Sequence, residues 1–240
     1  MISFELKLFR NKRQLIPATI LLLALLFLAY INYWIGTENR QLEGTALAEF
    51  ISIRASQSAL PALFFILWVF QRSIHLINTG YYRMLLLSGW QRHKLFFYSI
   101  MQVCIYAISF MVLNFICYAI LSFFDGTNPL QLVFGTDYNA LVSQFLYLAA
   151  TGFMAQALAF VQPAPVMTLP LLAYWFLEGW LANSIHQKLE SEAGNFLPLQ
   201  AIKTIIDKNL LTPQQTLLIA TYSLLFLLAL HFSIQKRMFV

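Results

Sequence analysis

One acidic side chain, Glu178, stands inside a long apolar run of this 240-residue sequence. A carboxyl in such a setting is costly to bury and by default marks an ion or substrate path. It lies thirteen residues beyond Pro165, about 20 Å along a helix, in the outer half of a bilayer. The plainer reading is that the helix is already meeting water at Gly179. Other chemistry is sparse. The four histidines, His75, His93, His186 and His231, are scattered. Cys104 and Cys117 fall on one helix, too far apart to pair and without metal-ligand spacing. No Gly-x-x-x-x-Gly-Lys-Ser/Thr, His-Glu-x-x-His or Gly-x-Ser-x-Gly motif occurs, and no second intramembrane carboxylate accompanies Glu178. No catalytic, cofactor-binding or metal site is expected, and the chain is not expected to be an enzyme by itself.

The most informative segment is 72–94, with Gln71 before it and Leu95 after. It carries Arg72, Arg83, Arg92 and Lys94 and no acid. Gly80 and Gly89 bracket Tyr81–Ser88, about two helical turns, which Asn78 or Thr79 can cap at the start and Gly89 can end. Tyr82, Arg83, Trp90 and Arg92 are the residue types that anchor interfaces. This predicts a short helix across the cytoplasmic face, gripped by a partner. The competing reading is that the positive charge only enforces topology while the apolar side lies in the headgroups.

These residues must be positioned by membrane helices. Hydrophobic residues make up 60% of the chain and charged ones 10%, with mean hydropathy +0.68, against roughly a quarter charged in soluble domains. Soluble, disordered, collagen-like and disulfide-rich classes all fail, with nine Gly and two Cys. A span needs about 20 apolar residues. Stretches free of charge predict an all-α membrane protein with six transmembrane helices at about 15–36, 52–71, 95–123, 139–161, 166–183 and 213–235. The run 138–177 must cross twice and breaks at Pro163-Ala164-Pro165, which no helix interior tolerates. The first apolar run is too long for a cleaved signal peptide, and no small-residue cleavage site follows it directly.

Charge sets the orientation. The N-terminal segment, 72–94 and the C-terminus hold ten basic residues against Glu5, a balance of +9. The opposite side holds five basic residues and nine acids, −4. Both termini are therefore expected in the cytoplasm. The overall +5 reflects this sidedness and not a nucleic-acid partner. Segment 1–13 reads as an amphipathic interfacial helix with Ile2, Leu6 and Phe9 on one face, or as a basic anchor that only sets topology. Segment 184–212 is expected outside, with Leu199, Ile202 and Ile206 on one side of a short helix. Thr151, Ala155 and Ala159 form a small-residue seam, more often close helix packing than a ligand site.

Taken together, the chain resembles the ABC-2-type permeases, membrane subunits of bacterial ABC transporters of the exporter kind. Phe4-Glu5-Leu6-Lys7-Leu8-Phe9-Arg10 with Lys12-Arg13 is similar to the family's amphipathic helix before the first span. Gly80-Tyr81-Tyr82-Arg83 with Ser88-Gly89-Trp90-Gln91-Arg92 is similar to its cytoplasmic coupling segment. The layout of spans, basic loop, Pro-containing turn and longer outer segment also fits, although a sizeable extracellular domain is missing. The resemblance implies a multi-pass protein of the bacterial cytoplasmic (inner) membrane that pairs with a second permease copy, identical or paralogous. It implies that Gly80, Tyr81, Tyr82, Arg83, Ser88, Gly89, Trp90 and Arg92 couple to a separate ATP-binding cassette subunit, which carries the ATP and Mg. Export of a peptide, lipid or hydrophobic small molecule would follow, with Glu178 on the translocation path.

Two other classes compete. The substrate-capturing membrane subunit of a vitamin-type importer also has about six helices, and the Thr151/Ala155/Ala159 seam is compatible with its docking. A membrane-embedded lipid-modifying enzyme needs a cluster of catalytic polar residues near one interface, and the sequence shows none.

Overall fold

A computed structural model describes residues 59–124, 138–189 and 213–236, with Phe27 and Leu197 as isolated positions. The expected amphipathic helix 1–13, the first span and most of the outer segment, with Leu199, Ile202 and Ile206, lie outside the described residues. All the regular elements described are helical: α1 (Ala59–Asn78), α2 (Tyr81–Leu87), α3 (Arg92–Phe124), α4 (Tyr138–Val161), a 3-10 turn (Pro165–Met167), α5 (Thr168–Leu189) and α6 (Pro213–Lys236).

The helix boundaries follow local chemistry. The 33 residues of α3 contain neither Gly nor Pro, so nothing interrupts a helix about 50 Å long, more than a bilayer core requires. The break between α4 and α5 falls at Pro163-Ala164-Pro165, as their rings demand. There the 3-10 turn restarts the chain, and Thr168 Oγ1 donates to the Pro165 carbonyl at 2.6 Å. The end of α1 differs from expectation. Apolar character stops at Gln71, yet the helix continues to Asn78. Residues 71–78 contain no breaker, and Ile74 and Leu76 are buried, so packing extends the helix beyond its membrane-type composition. The segment expected as a loop over 72–94 is therefore helical at both ends, because α3 already begins at Arg92.

Among the described residues, three helical stretches are long and apolar enough to cross a membrane: Arg92–Cys117, Gln144–Val161 and Leu217–Lys236. A fourth arises if Ala62–Asn78 and Tyr81–Leu87, bent by 51° at their junction, count as one broken span. The expected fifth span begins at Thr168 and runs on to Leu189. Glu178, Asn183, His186 and Gln187 dilute its apolar character, and it is not one of these stretches.

Residues 62–110, 138–189 and 213–236 belong to one compact unit. In it α4 is the most enclosed helix, with Thr151, Ala155 and Ala159 all fully buried. This seam is internal packing and not an exposed docking strip. Gly152 marks the closest approach: a Cβ there would stand 2.6 Å from Val103 Cγ1 of α3 and 3.3 Å from Phe65 Cε1 of α1. Rings fill the adjoining space, with Phe65–Phe110 and Trp68–Tyr106 centroids at 5.2 and 4.9 Å. Helix α6 packs on α4, burying Ile219, Leu230 and Ile234 while Leu224, Leu225, Leu228 and Phe232 stay exposed. On α3, Phe97, Met101, Ile105 and Ile108 are exposed at helical spacing. Such apolar outer faces are what lipid-facing helices require.

Candidate functional site

The short helix α2 is fixed at both ends by glycine conformation. Gly80 has φ 71°, ψ 16° and serves as the N-cap with no side-chain cap bond. The expected caps act elsewhere: Thr79 Oγ1 donates back to the His75 carbonyl at 2.8 Å, finishing α1, and Asn78 is the last residue of that helix. At the other end Gly89 has φ 90°. Its N–H donates to Leu86 O at 3.1 Å, and Trp90 N–H to Leu85 O at 3.1 Å, the paired bonds of a Schellman motif. Ser88 Oγ donates to Leu85 O at 2.8 Å. No atom would crowd a Cβ at Gly80 or Gly89. Glycine is therefore required there for backbone conformation alone, which costs other residues about 1–2 kcal/mol.

One face of α2 is driven into the bundle. Tyr82 is 0% exposed, the centre of a cluster with Leu76 of α1, Leu95 and Tyr98 of α3, Phe160 of α4, and Leu230 and Ile234 of α6. Its ring lies 5.1 Å from that of Phe160. Its hydroxyl donates to Gln102 Oε1 at 3.1 Å, and Gln102 Nε2 donates to the Tyr106 hydroxyl at 2.8 Å. Arg72 Nε reaches that same hydroxyl at 3.4 Å. A largely buried polar chain thus links α2, α3 and the C-terminal part of α1. Tyr81 is partly buried, its hydroxyl 3.4 Å from that of Tyr98, and Trp90 stands edge-on to Tyr98 at 6.1 Å.

Of the residues expected to be available to a partner, Tyr82 is enclosed within this chain: its hydroxyl has an internal acceptor and its ring is buried, so it anchors α2 to the bundle. Trp90 is half-buried by the same cluster. Arg92 Nη1 donates to the Gln235 carbonyl near the end of α6, so it ties α3 to α6. Arg83, Ser88 and Gly89 face outward. With them stand two residues the sequence reading passed over, Met84 at 59% and Leu87 at 77% exposure. Their spacing of three, opposite Tyr82, Leu85 and Leu86, is the helical-face signal that identifies them. The outer surface of α2 is therefore an apolar pair beside Arg83, flanked by exposed His93 and Lys94.

Glu178 lies in α5, away from α2 in sequence, and is 3% exposed. It is the one acidic residue among the described residues. Tyr174, one turn earlier in α5, and Tyr222 of α6 both stand near its carboxyl. Tyr174 also lines a half-open cavity of about 320 Å³, together with Phe70, Met154, Leu158, Leu171 and Phe226. Among the described residues no three His, Cys, Asp or Glu side chains gather as metal ligands, and Cys104 and Cys117 are free thiols.

The described residues are all-helical in their regular elements, with apolar helices long enough for an integral membrane protein. No family model, curated protein or solved structure matches it.

Proposed function

We propose that the chain is the membrane permease subunit of an ATP-driven transporter of the ABC-2 exporter kind, with α2 as its coupling helix. The observation that carries this reading is the construction of α2. It is a short helix held by two left-handed glycines, bolted inward through Tyr82, and presenting Arg83, Met84 and Leu87 outward. A lever that transmits force must be rigidly joined to what it moves and must leave one face free, and α2 meets both demands. A helix that merely sets topology needs neither a buried hydrogen-bond chain nor an apolar exposed pair.

In this reading six spans cross the bacterial cytoplasmic membrane with both termini inside. Two such subunits pair, and each α2 seats on an ATP-binding cassette subunit that carries ATP and Mg. ATP binding and hydrolysis there push α2, and the Tyr82–Gln102–Tyr106–Arg72 chain passes the movement to α3 and α1. The cargo is a peptide, lipid or hydrophobic small molecule. The importer reading loses its support, since the Thr151/Ala155/Ala159 seam is used inside the chain.

Co-expression with candidate ATP-binding cassette subunits from the same genome tests the proposal. The Arg83→Glu/Leu87→Glu double variant is expected to lose co-purification by at least about tenfold, since exposed anchors of an apolar and charged patch carry most of such an interface. Unchanged recovery of the ATPase overturns the assignment. Arg92 is left intact because its change would also cut the tie to α6.

A further inference from the structure

We propose that the half-open cavity between α1, α4, α5 and α6 holds the acyl chain of a bilayer phospholipid, which enters it sideways from the membrane. The site stands whether or not an ATPase drives the chain.

The inner wall of the cavity is buried: Phe70 of α1, Met154 of α4 and Leu171 of α5. Its open side is formed by Leu158, Pro170 and Tyr174, which are exposed. The walls are held in place. The Gln71 side-chain amide donates to Thr168 Oγ1 at 2.7 Å, joining α1 to the start of α5 beside the lining residues Phe70 and Met167. Proline at 163 and 165 stiffens the link between α4 and α5. The cavity is therefore preformed. At about 320 Å³ it is about twice the size of an apolar cavity that admits benzene.

The lining decides what chemistry it accepts. Among the lining side chains only Tyr174 carries an oxygen or nitrogen. A buried water needs two or more polar partners, so water is not held inside. A charged or strongly polar ligand would lose its hydration with one hydroxyl to replace it. An apolar occupant restores the contacts that an empty space forfeits, and the two methionines of the wall can adapt to its shape.

The open side decides the source. One turn beyond Leu158 on α4 stands Val161, and one turn beyond Tyr174 on α5 stands Leu177, both exposed. The mouth is thus continuous with an apolar outer surface of the kind that faces lipid. Acyl chains are the apolar groups present there at the highest concentration, and they need not cross water to enter.

Photo-labelling of the full chain in phosphatidylcholine nanodiscs tests the proposal. The lipid carries a diazirine midway along one acyl chain, and adducts are located by peptide mass spectrometry. Adducts are expected at Phe70 or Met154 inside the cavity as well as on the exposed Phe97 and Met101 of α3. Leu171→Trp fills the cavity and Leu158→Trp blocks its mouth. Each is expected to lower the cavity adducts by at least about tenfold while leaving those on α3 unchanged. A free aryl diazirine, in unlabelled discs, reports entry of a small apolar molecule that is not part of a lipid. The proposal is overturned if the lipid probe labels only exposed positions, or if both variants leave the cavity adducts unchanged. It is also overturned if the free probe labels the cavity and the lipid probe does not. If Leu171→Trp does not fold, Leu158→Trp, at an exposed position, still decides. The ATPase is absent from this experiment, so failure here and failure of the coupling reading are distinguishable.

Discussion

Replacing Tyr82 with Phe removes one oxygen and leaves the ring in place against Phe160, 5.1 Å away between centroids. What is lost is the bond from the Tyr82 hydroxyl to Gln102 Oε1 at 3.1 Å, in a site from which water is excluded. Gln102 is itself buried, so its carbonyl oxygen loses this donor without gaining solvent. Removing one partner of a buried hydrogen bond costs about 1–3 kcal/mol, more than the net value of an average bond. The loss should appear where the bond acts, in the attachment of α2. A drop of 1–2 kcal/mol in local opening free energy speeds exchange by roughly 5–30-fold. Hydrogen–deuterium exchange should therefore quicken by that factor at the α2 amides of Met84, Ser88 and Trp90, whose acceptors lie within the same turn. Amides in the middle of α4 should be unaffected. The double variant Tyr82→Phe/Gln102→Leu should fall short of the sum of the two single changes, as expected for residues in direct contact. Unchanged exchange in α2, or an increase spread evenly over α3 and α4, would refute the view that this hydroxyl fastens the helix.

Two further outcomes follow from the geometry. Gly152→Ala would put a methyl group 2.6 Å from Val103 Cγ1, and overpacking of this kind should cost about 1–3 kcal/mol, seen as a lowered melting temperature in detergent. Gly89→Ala meets no steric neighbour but must adopt φ 90°. It should cost about 1–2 kcal/mol and raise exchange chiefly at Trp90, leaving the global melting point nearly unchanged.

The sequence reveals features whose physics is local. Pro163-Ala164-Pro165 ends α4 because two pyrrolidine rings cannot sit in a helix, and that break needs no tertiary information. Gly80 and Gly89 bracket α2 because left-handed backbone favours glycine, which made the short helix readable before its surroundings were. The end of α1 was less readable. Charge at Arg72 ends a membrane-type composition but not a helix, and the extension to Asn78 depends on Ile74 and Leu76 finding partners in the bundle. The burial of Tyr82 was unreadable for the same reason. A tyrosine in a basic segment has the composition of an interface anchor, and only the approach of Phe160 and Gln102 from other helices turns it inward. Once it turns inward, helical spacing sends Met84 and Leu87 outward. Glu178 was visible as an acid in an apolar run. The cavity lined by Phe70, Tyr174 and Phe226 was not, because these rings come from three separate helices.

The central claim is that the outward face of α2 meets a protein and not the headgroup layer. A photo-crosslinking phenylalanine analogue at Leu87, which is 77% exposed, tests it most directly in intact membranes. Irradiation should join the chain to an ATP-binding cassette subunit, identifiable by mass and sequence, and Arg83→Glu should abolish that adduct. An adduct with lipid alone, or with no other molecule, would contradict the account.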